Sequence, residues 1–111
     1  MDFGDWEGRT WDAIGKARVD AWTADFANCA PGGGESLAQM LGRVQSALAD
    51  CRQGPLPSAD VVWITHAGVA RCVAWLAAHG PDTVDLSARD WPLHAPGWGE
   101  WSQHPLAPAG A

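Results

Sequence analysis

One apolar segment, residues 61–65 with the sequence VVWIT, constrains the fold of this 111-residue chain more than any other feature. It is rich in β-branched residues and has no polar alternation, which predicts a strand buried on both faces, as in a parallel sheet covered by helices. Such a strand needs neighbouring strands to satisfy its backbone N–H and C=O groups. The only other candidate is a weak edge strand over 98–103. The sequence therefore predicts a sheet without supplying the strands that would complete it.

The first forty residues predict one interrupted helix. Thr10 has the side chain of an N-cap and precedes an apolar stripe at three- and four-residue spacing. Gly15 lies within the stripe and favours two short helices. The run APGGG at 30–34 ends the helical stretch. The residues at this spacing form an amphipathic helical pattern and are Trp11, Ile14, Arg18, Trp22 and Phe26.

Two further helices are predicted from local signals. Ser36 and Gln39 have the spacing of a capping box, and the apolar stripe that follows runs to near Cys51. A third helix is expected over 69–78, ended by Gly80. It follows the predicted strand after a corner at 66–68, so residues 61–78 are predicted to form a strand–turn–helix unit.

Composition excludes several classes of protein. The chain is 47% hydrophobic and 18% charged, which is typical of a globular domain and not of a disordered or fibrous one. No apolar run approaches the roughly 18 residues that a bilayer requires, and a net charge of −6 argues against nucleic acid as a partner. Three cysteines without CxxC spacing predict neither disulfides nor a zinc ribbon, so a reduced, cytoplasmic protein is expected. The eight tryptophans are expected to share the core with Leu and Ile, the alternative being a tryptophan-lined cleft.

The corner after the predicted strand is the best candidate for chemistry. Ligands of open α/β sheets bind where a strand ends and the next helix begins, because the free N–H groups of the helix favour an anion. Gly68 allows close approach of the backbone, and His66 adds an imidazole that can carry a positive charge. Arg71, one turn further, either adds charge or faces solvent. The alternative for His66 is a histidine that caps its turn by hydrogen bonding to the backbone.

Two other segments allow a functional and a structural interpretation. The run GGGES at 32–36 resembles a phosphate loop but lacks the Lys-Ser/Thr ending, and a hinge followed by a helix cap explains it. The acids of DFGDWEG at 2–8 suit general acid catalysis or metal binding, and equally a solvated acidic turn. The four histidines are too irregularly spaced for a metal motif, so no metal is expected.

Together these three segments resemble the histidine phosphatase superfamily, also called the phosphoglycerate mutase-like family. DFGDWEG at 2–8 is similar to its FGxWEG segment, GGES at 33–36 to its helix start, and THAGV at 65–69 with Arg71 to its THAGVxR corner. The resemblance implies a three-layer α/β/α fold. Within the family, the sequence of residues 2–8 is most similar to that of α-ribazole phosphatases of cobalamin biosynthesis. Broad-specificity phosphatases and phosphoglycerate mutases are the alternatives, although the stretch 8–33 is short for a mutase.

The resemblance also implies a mechanism that needs no metal or organic cofactor. In the family, a histidine in an Arg-His-Gly motif attacks the phosphate of a small phosphorylated substrate and becomes a phosphohistidine. An arginine and a second histidine hold the phosphoryl oxygens, and a carboxylic acid protonates the leaving alcohol. His66 matches the second histidine, and Ala67 and Gly68 match the backbone that approaches the phosphate. Glu35 and Ser36 match the largely structural helix start.

Several parts of the family pattern have no counterpart in this sequence. No histidine here is preceded by Arg and followed by Gly, the second arginine has no position, and the acid would fall immediately before Met1. We therefore expect a single partial domain over 1–111, the C-terminal portion of a phosphatase. Its fold would be incomplete because the N-terminal strand with the Arg-His-Gly motif is absent, through a start codon assigned too late or a truncated gene.

Two functions follow from this expectation. The complete protein is expected to hydrolyse a phosphomonoester, α-ribazole 5′-phosphate being the first candidate, whereas the chain as written is expected to be inactive. The alternative is that the chain is a non-catalytic remnant, either unfolded or stabilised by pairing its exposed strand edge with another chain, as in a homo-oligomer.

Overall fold

The structure is a computed structural model that describes residues 1–53, 60–80 and 86–106. Within these ranges the chain forms two short 3₁₀ turns and four α-helices. The turns lie at Gly4–Trp6 and Pro31–Gly33, and the helices are α1 (Trp11–Ile14), α2 (Lys16–Ala24), α3 (Leu37–Arg52) and α4 (Ala67–His79). The described residues fall into two compact units, one of residues 1–40 and 86–91, the other of residues 41–53, 60–80 and 92–106. The expected single partial domain over 1–111 stays a prediction.

The predicted three-layer α/β/α fold is wrong, because the part of the chain that the structure describes is all-helical and contains no strand or sheet. Residues 61–65 make no backbone hydrogen bond to any other described residue. Val62 and Ile64 are 83% and 99% exposed, where burial on both faces was expected. The physical reason is that a strand is stabilised by neighbouring strands, and residues 1–53, 60–80 and 86–106 supply none. The predicted edge strand over 98–103 is also wrong, since a turn at 98–99 leads there into irregular chain.

In the first unit, the split of the first helix at Gly15 is confirmed. Thr10 caps α1, its Oγ1 accepting a hydrogen bond from the Ala13 N–H at 3.1 Å. Gly15 then ends α1 with φ at +94°, a backbone conformation that favours glycine. Ring contacts with centroid distances of 5.5–6.5 Å join the aromatic residues of this unit. They are Phe3, Trp6, Trp11, Trp22, Phe26 and Trp91.

In the second unit, α4 spans two residues more at its start and one more at its end than predicted, and Gly80 terminates it as expected. Cys72 and Trp75 of α4 are buried, as are Leu41 and Val44 of α3. The expectation that the tryptophans belong to the core is confirmed for only some of them. Trp6 and Trp75 are buried, whereas Trp11, Trp98 and Trp101 are exposed. None of the described helices is long and apolar enough to cross a membrane.

Candidate functional site

His66 is the N-cap of α4 and has an extended backbone, with φ −110° and ψ 162°. Its carbonyl oxygen accepts hydrogen bonds from the Val69 and Ala70 N–H groups at 3.1 and 3.2 Å. Because a helix has no acceptors for its first N–H groups, those of Ala67 and Gly68 remain available to a ligand. The side chain of His66 makes no capping hydrogen bond, so the alternative of a histidine that caps its own turn does not describe this structure.

The imidazole of His66 is exposed and borders a cavity of about 680 Å³ in the second unit. One wall of the cavity comes from residues 61–65 and the first turns of α4, and another comes from the tail at 96–106. The tail contributes polar groups that were not predicted to belong to a site. They are Glu100, Ser102 and His104, and the Ser102 Oγ lies 3.2 Å from the His104 Nε2. Only the spatial proximity of the tail reveals them, because no motif marks these residues.

Arg71 does not take part in this cavity. Its side chain is half-buried, and its Nη2 donates a hydrogen bond to the Leu93 carbonyl at 3.4 Å. The guanidinium therefore joins the segment at Leu93 to α4, and the two roles that the sequence left open for Arg71 stay predictions.

Two of the three acids in segment 2–8 accept hydrogen bonds from the local backbone. The Asp2 carboxylate accepts a hydrogen bond from the Gly4 N–H at 2.8 Å, and the Glu7 carboxylate accepts one from the Phe3 N–H at 2.9 Å. Within the described ranges, no group of three or more His, Cys, Asp or Glu side chains is arranged to hold a metal ion. The structure thus favours the acidic turn as the interpretation of these residues.

The glycine run at 32–34 packs against that same turn. The Glu35 N–H donates to the Asp2 carbonyl at 2.7 Å, and the two backbones lie so close that side chains do not fit between them. A Cβ at Gly32 would overlap the Phe3 carbonyl, and one at Gly34 would overlap the Asp2 carbonyl. The run is therefore a packing element and neither a phosphate loop nor a free hinge.

The family model of the histidine phosphatase superfamily (branch 1) matches residues 1–95, which include all three segments described above. The chain belongs to the histidine phosphatase superfamily. This membership supports a phosphatase-like role. Searches for similar curated proteins and for similar solved structures give no significant match. The roles of His66, Ala67 and Gly68 in phosphate binding stay predictions.

Proposed function

We propose that this chain binds the phosphoryl group of a small phosphomonoester at the start of α4, as part of a phosphatase site. The observation that carries the proposal is the arrangement at His66. The imidazole is free of the cap, is exposed, and stands beside N–H groups that the helix cannot satisfy. Family membership supports the same reaction class, hydrolysis of a phosphoric monoester.

The physical basis is attraction between an anion and the positive end of a helix. The N-terminus of α4, a helix of 13 residues, carries a partial positive charge, and the N–H groups of Ala67 and Gly68 are donors for phosphoryl oxygens. A protonated His66 would add a charge-assisted hydrogen bond, which is about twice as strong as a neutral one. Gly68 leaves this turn without a side chain that would hinder an approaching phosphate.

The substrate we propose is α-ribazole 5′-phosphate, an intermediate of cobalamin biosynthesis. Its support is the resemblance of the sequence DFGDWEG at 2–8 to that group. We propose a cytoplasmic location on the basis of the three free cysteines. The second candidate is a broad-specificity phosphatase or a relative of the phosphoglycerate mutases. A competition experiment between α-ribazole 5′-phosphate and 3-phosphoglycerate would separate the two candidates, because it shows which ester the site prefers.

Turnover is a separate question from binding. None of the four histidines has Arg before it and Gly after it, which is the setting of the nucleophile in this family. We therefore propose that these 111 residues bind a phosphate ester without hydrolysing it. Release of inorganic phosphate from α-ribazole 5′-phosphate by the purified chain would contradict this second statement and leave the first intact.

The experiment that tests the site is a calorimetric titration with inorganic phosphate. His66→Ala is expected to weaken binding by about tenfold or more, because a hydrogen bond to a charged group contributes roughly 1.5–3 kcal/mol. His94→Ala is the matched control, since His94 is also exposed in the second unit but does not border the cavity. Equal affinity of the His66→Ala variant and the original chain would overturn the proposed site, and so would an equal loss in the control.

A further inference from the structure

Residues 61–65 combine a strand-forming sequence with a backbone that is unpaired within the described part of the chain. No residue of the segment is charged, and none exchanges a backbone hydrogen bond with another described residue. Exposed backbone of this composition is a template for β-pairing with another chain. The side chains of Val62 and Ile64 are almost completely open to water, so burial on association would stabilise the paired form.

The flanking charges favour a second copy of the same chain, in antiparallel orientation. Antiparallel pairing centred on Trp63 places Val62 of each copy opposite Ile64 of the other and Asp60 opposite His66. These pairs join aliphatic side chains to each other and an acid to an imidazole, both of which are favourable across strands. Parallel pairing in register would instead bring Asp60 beside its own copy, where like charges repel.

The apolar area available is close to what a stable dimer needs. Trp98 and Trp101 border the same cavity as residues 61–65 and are 105% and 80% exposed. Two indoles together with Val62 and Ile64 offer about 400–700 Å² per copy. A standard interface buries about 800 Å² per partner, and the paired backbones would contribute to the remainder. A two-stranded ribbon alone is only marginally stable in water, so the indoles of Trp98 and Trp101 would have to cover the paired segments.

We propose that the chain self-associates into a twofold symmetric dimer through antiparallel pairing of residues 61–65, with Trp98 and Trp101 covering the paired segment. Because the contact is isologous, this interface joins two copies and no more, and Trp98 and Trp101 would cover the edges that stay open. The dimer accounts for the apolar composition of a segment that the described structure leaves open to water.

Sedimentation velocity over a concentration series tests the proposal. The original chain is expected to dimerise with a dissociation constant of about 1–100 µM, the range for an interface at the small end of the standard size. Ile64→Lys is expected to weaken dimerisation more than tenfold, because it buries a charge in the paired segment. Its side chain is 99% exposed in the single chain, so the substitution leaves the fold of the protomer intact.

Leu93→Lys is the matched control. Leu93 is an aliphatic residue of the same unit, 84% exposed, that does not border the cavity, and the substitution changes the charge equally. The control is expected to dimerise as the original chain does. A chain that stays monomeric at all concentrations, an assembly that grows beyond two copies, or equal effects of both lysine substitutions would each overturn the proposal.

A covalent trap tests the register. Opposite residues of an antiparallel pair have Cβ atoms about 4.5–5.5 Å apart, close to the distance that a disulfide bridges. Under mild oxidation, Trp63→Cys is expected to give a dimer joined between the two copies of position 63, identified by peptide mapping. Leu93→Cys is expected to give none. Cross-links of position 63 only to the native cysteines would contradict the symmetric register.

Discussion

At the scale of single residues, the glycines of the run 32–34 differ in what they do. Gly32 and Gly33 both have a positive φ, of +66° and +75°, yet only Gly32 lies against another part of the chain. A Cβ at Gly32 meets the Phe3 carbonyl, whereas one at Gly33 meets nothing within 4 Å. The close approach of Gly32 joins segment 2–8 to the helix start at 36, so the two motifs form one packed element.

Substitution of these two glycines by alanine separates the cost of backbone strain at positive φ from the cost of steric overlap with segment 2–8. Gly33→Ala is expected to lower the free energy of unfolding by about 1–2 kcal/mol, the cost of a side chain at positive φ. Gly32→Ala adds the displacement of backbone and is expected to cost about 2–4 kcal/mol. Urea unfolding followed by tryptophan fluorescence measures both. Equal midpoints for the two variants would show that the packing of Gly32 against Phe3 contributes nothing.

The sequence alone could not assign this role to Gly32. A positive φ at one position in a glycine run can be anticipated, because only glycine adopts it without cost. The contact that makes a side chain impossible comes from Phe3, which lies 29 positions earlier in the chain. Such non-local contacts leave no pattern in the neighbouring residues, and a hinge was therefore an equally good interpretation.

At the scale of elements, the capping box at the start of α3 shows what local sequence does determine. The Ser36 N–H donates to the Gln39 Oε1 at 2.9 Å, and the Gln39 N–H donates to the Ser36 Oγ at 3.2 Å. Both hydrogen bonds join residues three apart, so their geometry depends on little outside the first turn. The start of this helix was predictable for that reason, and the same holds for Thr10 and α1.

Removal of the Ser36 hydroxyl tests the strength of this cap. Ser36→Ala is expected to lower the free energy of unfolding by about 1 kcal/mol, since the N–H of Gln39 loses its acceptor. Ser46→Ala is the control, because Ser46 is exposed within α3 and alanine favours the helix there, so stability is expected to be unchanged or slightly higher. Gln39→Ala removes the other bond of the box, that from the Ser36 N–H, and is expected to lower the free energy of unfolding by a similar amount. Unchanged stability of Ser36→Ala relative to Ser46→Ala would contradict the cap.

Residues 61–65 show the opposite case at the same scale. Their composition favours a strand as strongly as Ser36 and Gln39 favour a helix start, yet no described segment pairs with them, and Val62 and Ile64 are exposed. A helix satisfies its own backbone, whereas a strand depends on hydrogen bonds to another segment. The sequence predicted both that the segment favours a strand and that the strands needed to pair with it are missing. The missing partners decide the conformation of the segment.

At the scale of the whole molecule, the prediction of a site at His66 came from the strand-to-helix corner and from the resemblance of THAGV to the family. The helix start is present, and residues 61–65 lead into it without forming a strand. The contribution of the tail at 96–106 was not foreseen, because those residues show no periodicity and no motif. A chain with a net charge of −6 also needs a local source of positive potential to bind phosphate, and the start of α4 is the source that our proposal invokes.

The proposed phosphate site and the proposed dimer contact meet at His66, which gives a prediction for the molecule as a whole. In the antiparallel register, the Asp60 carboxylate of the second copy stands opposite His66, where it would repel a bound phosphate. Binding equilibria that share a residue are linked reciprocally. Saturating phosphate is therefore expected to raise the dissociation constant of the dimer about three- to tenfold, compared with chloride at equal ionic strength.

Asp60→Asn identifies the origin of this coupling, because it removes the charge while keeping a side chain of the same size. The variant is expected to dimerise with an affinity within a few-fold of the original, and phosphate should no longer weaken it. Sedimentation velocity with and without phosphate gives both constants. Coupling that persists in Asp60→Asn would mean that phosphate acts on the dimer by another route, and the register that opposes Asp60 to His66 would be wrong. If phosphate weakens the dimer of the original chain but not that of Asp60→Asn, the charge of Asp60 in one copy acts on the phosphate site at His66 in the other.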